Sequence, residues 1–157
     1  MALGYDPSAT GSDTVLAYLQ ELLLTAVMLE ERLPGARRPV RVLSGSGLRE
    51  IPTWISNSNL ARGLKLEDLP HRLQVLPSDR RELAMREPPG GELLFLAFRP
   101  AYWAEDRVEL SLAIGALGHT GEEWSCREIG RIDAEFQQLD GRWAALGDPH
   151  VFFASGT

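Results

Sequence analysis

IDAEFQQL (Ile132–Leu139), Asp140-Gly141 and RWAAL (Arg142–Leu146) form the stretch whose reading decides the fold. Asp-Gly between two alternating segments is a strong hairpin signal, because a type I′ turn needs φ > 0 at both central residues. A two-residue loop also sets the register. Leu139 should face Arg142, Gln138 should face Trp143, and Phe136 should face Ala145. Ile132, Ala134, Phe136, Trp143 and Ala145 then share one face, with Arg131, Asp133, Glu135 and Gln137 on the other. One buried and one wet face is the pattern of an antiparallel sheet covered on a single side.

Upstream of the hairpin, RVELSLAIGAL (107–117) alternates cleanly and puts Val108, Leu110, Leu112 and Ile114 on one face. ELLFLAFR (92–99) is apolar on both faces, which fits a central or doubly covered strand. PAYWAED (100–106) reads as the loop between them, and GHTGEEWSCRE (118–128) as a polar connection punctuated by glycine. A last short strand is expected near Val151–Ala154, completing a meander of four or five strands.

The chain opens with a different period. Apolar residues at 15, 16, 19, 22, 23, 26, 27, 29 and 33 make a wide helical stripe, with Gln20, Glu21, Glu30 and Glu31 mostly off it. The helix is expected to begin near Ser12 or Asp13, where Thr10 and Asp13 have capping-box spacing, and to end at Pro34-Gly35. At about twenty residues it would be about 30 Å long. Residues 1–11, rich in small and turn-forming types, should be a flexible N-terminus. Between helix and meander, PVRVLSGSG (39–47) suggests a short strand running into a turn. Residues 58–69 allow a helical turn or two. Asp79–Glu82 has the capping-box spacing of a short helix over 79–86, and Pro88–Gly91 stops it. Residues 48–91 are the least readable part.

Helical and strand segments are thus segregated, not alternating, which argues for an α+β fold. The expectation is a long N-terminal helix packed on a curved antiparallel β-meander, in a single domain over residues 12–157. In this respect the chain resembles the cystatin-like and nuclear-transport-factor-like α+β rolls. Many small bacterial members of those families close on a hairpin of the form apolar-x-x-apolar, Asp-Gly-Arg-Trp, here Phe136-Gln137-Gln138-Leu139-Asp140-Gly141-Arg142-Trp143. The resemblance spans the first helix and residues 92–154. It implies a helix seated against a curled sheet. Among the enzymes of the roll, it also implies a polar set inside the cone, for which no residue-by-residue match is present.

Composition narrows the function classes. The formal net charge of −6 repels a phosphate backbone, so no nucleic acid is expected as partner. The only basic cluster, Arg37, Arg38 and Arg41, reads as a solvated helix exit. Lys65 is the lone lysine beside fifteen arginines, a usage that suggests a GC-rich bacterial genome. Cys126 is the single cysteine, which excludes an internal disulfide and fits a reducing compartment. No secretory signal or membrane-spanning stretch stands out. A cytoplasmic protein is expected.

Candidate chemistry is sparse. His119, Glu122, Glu123 and Cys126 carry groups able to bind zinc, but their spacing matches no zinc pattern, so no metal is expected. No phosphate loop, dinucleotide fingerprint or nucleophile elbow is present, and no cofactor is expected. Asp133 and Glu135 share a face, but the hairpin register turns that face to solvent. His71 and His150, each after a proline, read as ordinary polar residues. The best contact residues are Tyr102 and Trp103 on the 100–106 loop, with Trp124 and His119 on the polar connection, because exposed aromatics are enriched at interfaces.

Two functional readings follow. The first is a non-catalytic protein-interaction or binding module, whose partner is another protein or a second copy of the chain. The alternative is a small-molecule-binding or isomerase/dehydratase-like enzyme of the roll type. Its pocket would lie between helix and sheet, lined by Leu19, Leu23, Val108, Leu110, Phe136 and Trp143, with Gln138 and Tyr18 as candidate polar groups.

Overall fold

The computed structural model describes residues 10–43, 48, 50–77, 92–120 and 123–153. Helix α1 spans Thr10–Leu29. It is followed by β1 (Trp54–Ile55), a 3-10 turn (Leu66–Asp68), β2 (Gln74–Val75), β3 (Glu92–Phe98), β4 (Tyr102–Ala104), β5 (Arg107–Thr120), β6 (Glu123–Leu139), β7 (Arg142–Ala145) and β8 (His150–Phe153). The fold is α+β. The eight strands form one sheet in the order β2-β1-β3-β5-β6-β7, with β4 beside β5 and β8 beside β6.

The sheet is mixed, which corrects the expectation of a purely antiparallel meander. Strands β1 and β2 run parallel to each other, and β1 runs parallel to β3 through Ile55 opposite Leu96. Both added strands are two residues long and come from the 48–77 stretch, where no alternation is long enough to announce them. They are held by backbone bonds such as Ser56 N–H to Leu96 C=O at 2.8 Å and Leu76 N–H to Ile55 C=O at 2.9 Å. The helical turn expected within 58–69 is the single 3-10 turn. The expected short helix at 79–86 lies outside the described residues.

The Asp-Gly hairpin forms as its residues dictate. Asp140 (φ 52°) and Gly141 (φ 76°) are both left-handed, and Leu139 pairs with Arg142, Gln138 with Trp143 and Phe136 with Ala145. Strands β5 and β6 form a far longer hairpin. The polar stretch 118–128, expected as a connection, mostly continues these two strands, with His119 opposite Trp124 and Thr120 opposite Glu123. At Ile129 a bulge adds one residue to β6, so that Gly130 pairs with Ile114 but Glu128 with Gly115. The extra residue flips the alternation, and Glu128 beyond the bulge shares the face of Arg131 before it.

PAYWAED also contains a strand. Tyr102 pairs with Glu109, Trp103 with Val108 and Ala104 with Arg107, around a Glu105-Asp106 turn with Glu105 at φ 39°. Pairing sends the two aromatics to opposite faces of the sheet.

The helix ends at Leu29, short of the expected stop at Pro34-Gly35. Glu30 turns left-handed (φ 50°), and the Glu31 N–H bonds back to the Ala26 carbonyl at 2.9 Å, the long closing bond of a Schellman cap. A non-glycine residue there is strained by roughly 1 kcal/mol or more. The Glu30 carboxylate offsets this by accepting the N–H groups of Val42 and Leu43 at 2.9 and 3.3 Å. Residues 39–42 form no strand: the Val40 N–H bonds to the Glu31 carbonyl at 2.9 Å and the Val42 N–H to the Glu30 side chain, although Val40 and Val42 are buried as a strand's core residues would be. Leu33 remains in the core although it lies outside the helix.

Helix and sheet share one core. Leu19, Leu23, Leu24 and Val27 of α1 join Val108, Leu110, Leu112 and Ile114 of β5 and Ile132, Ala134 and Phe136 of β6 in a single buried cluster, and Trp103 and Trp143 pack against its edge. The buried face of the helix is broader than the expected stripe, for it also takes Met28 and Gln20 while leaving Leu29 exposed. Among the described residues, Gln20 is the one buried polar residue of the core, at 1% exposure. Its Nε2 donates to the Asn59 carbonyl at 2.8 Å and its Oε1 accepts the Ala61 N–H at 2.9 Å, while Asn59 Nδ2 donates to the Phe98 carbonyl at 2.9 Å. This network fastens the 57–61 loop between helix and sheet, and satisfying both ends of the amide removes the cost of burying it.

Candidate functional site

Alternation along β5 and β6 leaves a second face, turned away from the helix. Register orders it in rows. One row runs Tyr102, Glu109, Glu135, with Leu146 beside them through its N–H to the Glu135 carbonyl at 2.7 Å. The next runs Ser111, Asp133, His150, with Arg99 alongside through its N–H to the Ser111 carbonyl at 2.9 Å. A third runs Ala113, Arg131, Phe152. The first two rows line a cleft of about 390 Å³, with Asp148 and Pro100 at its margins. That volume falls at the small end of the range for ligand sites.

Most charges in the cleft are already matched. Asp133 accepts from Ser111 Oγ at 2.6 Å and from Arg131 Nε at 3.0 and 3.1 Å. The Arg131 guanidinium lies 4.7 Å from the centre of the Phe152 ring, a cation–π distance. Arg99 pairs with Glu128, and Arg107 reaches Glu135 at 3.5 Å. Asp148 Oδ1 accepts the backbone N–H groups of Arg37 at 2.6 Å and Arg38 at 2.9 Å, and these bonds, that of Arg38 first, hold its carboxyl below the ordinary aspartate range. The same loop is pinned by Ala145 N–H to the Pro34 carbonyl at 2.6 Å, and Gly35 (φ 92°) sits so close that a Cβ would lie 2.6 Å from the Ala145 oxygen. Glu109 is left without an ion pair among the described residues.

Ser111, Asp133 and His150 share a row, but in the wrong order for nucleophilic catalysis. A serine nucleophile needs the imidazole next to its hydroxyl and the carboxylate behind the imidazole. Here the carboxylate holds the serine hydroxyl, and the histidine stands on the far side of it. Among the described residues, no three His, Cys, Asp or Glu side chains gather as a metal site would.

Of the four residues expected to make contacts, the structure brings only Tyr102 into the cleft, where it is 64% exposed. Trp103, paired with Val108, turns to the other face and packs on the core. His119 and Trp124 face each other in register near the far end of the hairpin, ten positions along β5 from Glu109 and so about 33 Å away. Cys126 is exposed and unpaired. Five of the six residues expected to line a pocket between helix and sheet are buried together in the core, and the sixth, Trp143, packs against it. Tyr18 and Gln138, the polar groups that pocket needed, are both exposed.

The cleft residues that sequence reading passed over are Glu109, Leu146, Asp148 and His150, together with Asp133 and Glu135, which it left to solvent. The signal able to find them is the β5–β6 register, which sets Glu109 against Glu135. No helix among the described residues is long and apolar enough to cross a membrane. No protein-family model matches this chain, and no curated protein or solved structure matches it.

Proposed function

We propose that this chain is a non-catalytic binding module that engages a protein partner through the outer face of its sheet. The observation that carries the reading is the cleft beside Tyr102. There the exposed Tyr102 and Leu146, the latter 43% exposed, flank a polar floor on the face the helix leaves open. Exposed aromatic and aliphatic walls around polar groups are the composition of an interaction surface. The alternative roll-type enzyme needs a polar pocket under the helix, and the side chains named for it are core residues. The resemblance to cystatin-like and nuclear-transport-factor-like rolls, on Phe136–Trp143, belongs to this proposal, as does residence in a bacterial cytoplasm, where Cys126 stays reduced.

A photoreactive phenylalanine analogue placed at Tyr102 tests the reading, with the same analogue at Tyr18 on the exposed side of the helix as control. The expected result is a discrete crosslinked protein from position 102 in cells and none from position 18. Equal or absent crosslinking at the two positions rejects the proposal. Light scattering on the purified chain then separates a second copy from a different partner.

A further inference from the structure

We infer that the cleft seats an arginine side chain of a protein partner, its guanidinium between Glu109 and Glu135 and against the ring of Tyr102. The inference rests on the binding reading above and names the chemistry of the partner. Glu109 and Glu135 are direct cross-strand neighbours on the outer face, their Cα atoms about 5 Å apart, and like charges directly opposite each other destabilise a sheet unless a cation comes between them. Arg107 reaches only Glu135, at 3.5 Å, beyond good hydrogen-bond distance. The remaining ions of the face are spoken for: Arg131 by Asp133, Arg99 by Glu128, Asp148 by two backbone donors. Among the described residues of the face, Glu109 is a carboxylate with neither an ion pair nor a hydrogen-bond donor, and it stands next to a second carboxylate.

The walls point to guanidinium over ammonium. Tyr102 stands directly opposite Glu109 in register and is largely exposed, and Leu146 closes the other end of the row. A planar guanidinium can lie on an aromatic ring while its fork donates to two carboxylates, whereas an ammonium is a strongly hydrated point charge. A cleft of about 390 Å³ suits one long side chain. In the next rows Asp133 and Glu128 are already bound by Arg131 and Arg99, which leaves no carboxylate there for a second cation, so the partner presents an isolated arginine and not a basic tract.

The test is a two-dimensional NMR titration of the full chain with the blocked peptide acetyl-Gly-Arg-Gly-amide and its isosteric neutral citrulline counterpart. Saturable shifts are expected at Tyr102, Glu109, Glu135 and Leu146 with the arginine peptide only. In the Glu109→Gln/Glu135→Gln variant, both substitutions being on the solvent face, the affinity should fall at least about tenfold. Equal response to the citrulline peptide, shifts scattered over the surface, or an unweakened double variant overturns the inference. Crosslinking from position 102 that persists in the double variant rejects the arginine and leaves the binding reading standing. Absence of both the titration response and the position-102 crosslink in the unsubstituted chain rejects the two together.

Discussion

Strands β5 and β6 carry two faces made from alternate residues of the same segments, and the two differ in every physical respect. The inner face, from Val108 to Ile114 and from Ile132 to Phe136, is aliphatic and aromatic, closed by α1, and filled. The outer face, from Arg107 to Ala113 and from Arg131 to Gln137, is charged, hydrogen-bonded across strands, and open where the cleft lies. A period of two separates the tasks: burial on one side provides stability, and the other side is free to vary its chemistry. The comparison teaches that residues one position apart should respond to substitution in opposite ways.

The largest effect should come from the inner face. Phe136→Ala removes a fully buried ring from the centre of the core and should cost about 3–5 kcal/mol in chemical denaturation. A cost under 1 kcal/mol would break the comparison, since it would mean that the helix and sheet do not share one packed core. Gln20→Ala should follow at about 1–3 kcal/mol, because it orphans the Ala61 N–H and the Asn59 carbonyl in a buried place. A denaturation curve unchanged by that substitution would show that water satisfies both groups.

Asp148 sharpens the boundary between the faces. Its carboxyl is held below its ordinary value by the Arg38 and Arg37 N–H groups, so the bound loop favours the ionised form. The contribution is therefore present above the unfolded-state pKa, near 3.9, and is lost as pH falls through the lower folded value. Acid denaturation followed from about pH 5 down to 2 should be shallower in Asp148→Asn, and that variant should be the less stable of the two at pH 7. Matching acid profiles would mean the loop is held by Pro34 and Gly35 alone.

The smallest effect belongs to the outer face. Glu109→Gln should shift stability by no more than about 0.5 kcal/mol, toward stabilisation, because it removes a cross-strand repulsion with Glu135. A destabilisation of several times that size would show Glu109 to be a structural residue.

Legibility followed the length of the local signal. The Asp140-Gly141 turn was readable because two residues with forced φ and a two-residue loop leave one register, and the pairs from Phe136–Ala145 to Leu139–Arg142 follow from it. The stripe on α1 marked its core side, yet the helix end was misplaced, because a glutamate cap at Glu30 depends on Val42 and Leu43, twelve and thirteen residues away. Strands β1 and β2 were illegible, since two-residue parallel pairs carry no period. Tyr102 was picked out for exposure alone. Its neighbours in the cleft carry no such signal: the Asp-Gly hairpin sets Leu146 beside Glu135, but Glu109 meets Glu135 only through the β5–β6 register and the bulge at Ile129.

What the sequence by itself determined was the class of object: a helix with one apolar side, alternating strands that make a two-faced sheet, and the turn that sets its final hairpin. Those features rest on interactions between residues a few positions apart, where period and backbone preference decide. The tertiary structure alone decided the mixed sheet order, the burial of Gln20 and the pairing of Glu109 with Glu135. Each of these depends on pairing between distant segments, whose free energy arises only when the whole core closes and so leaves no pattern in any one stretch of chain.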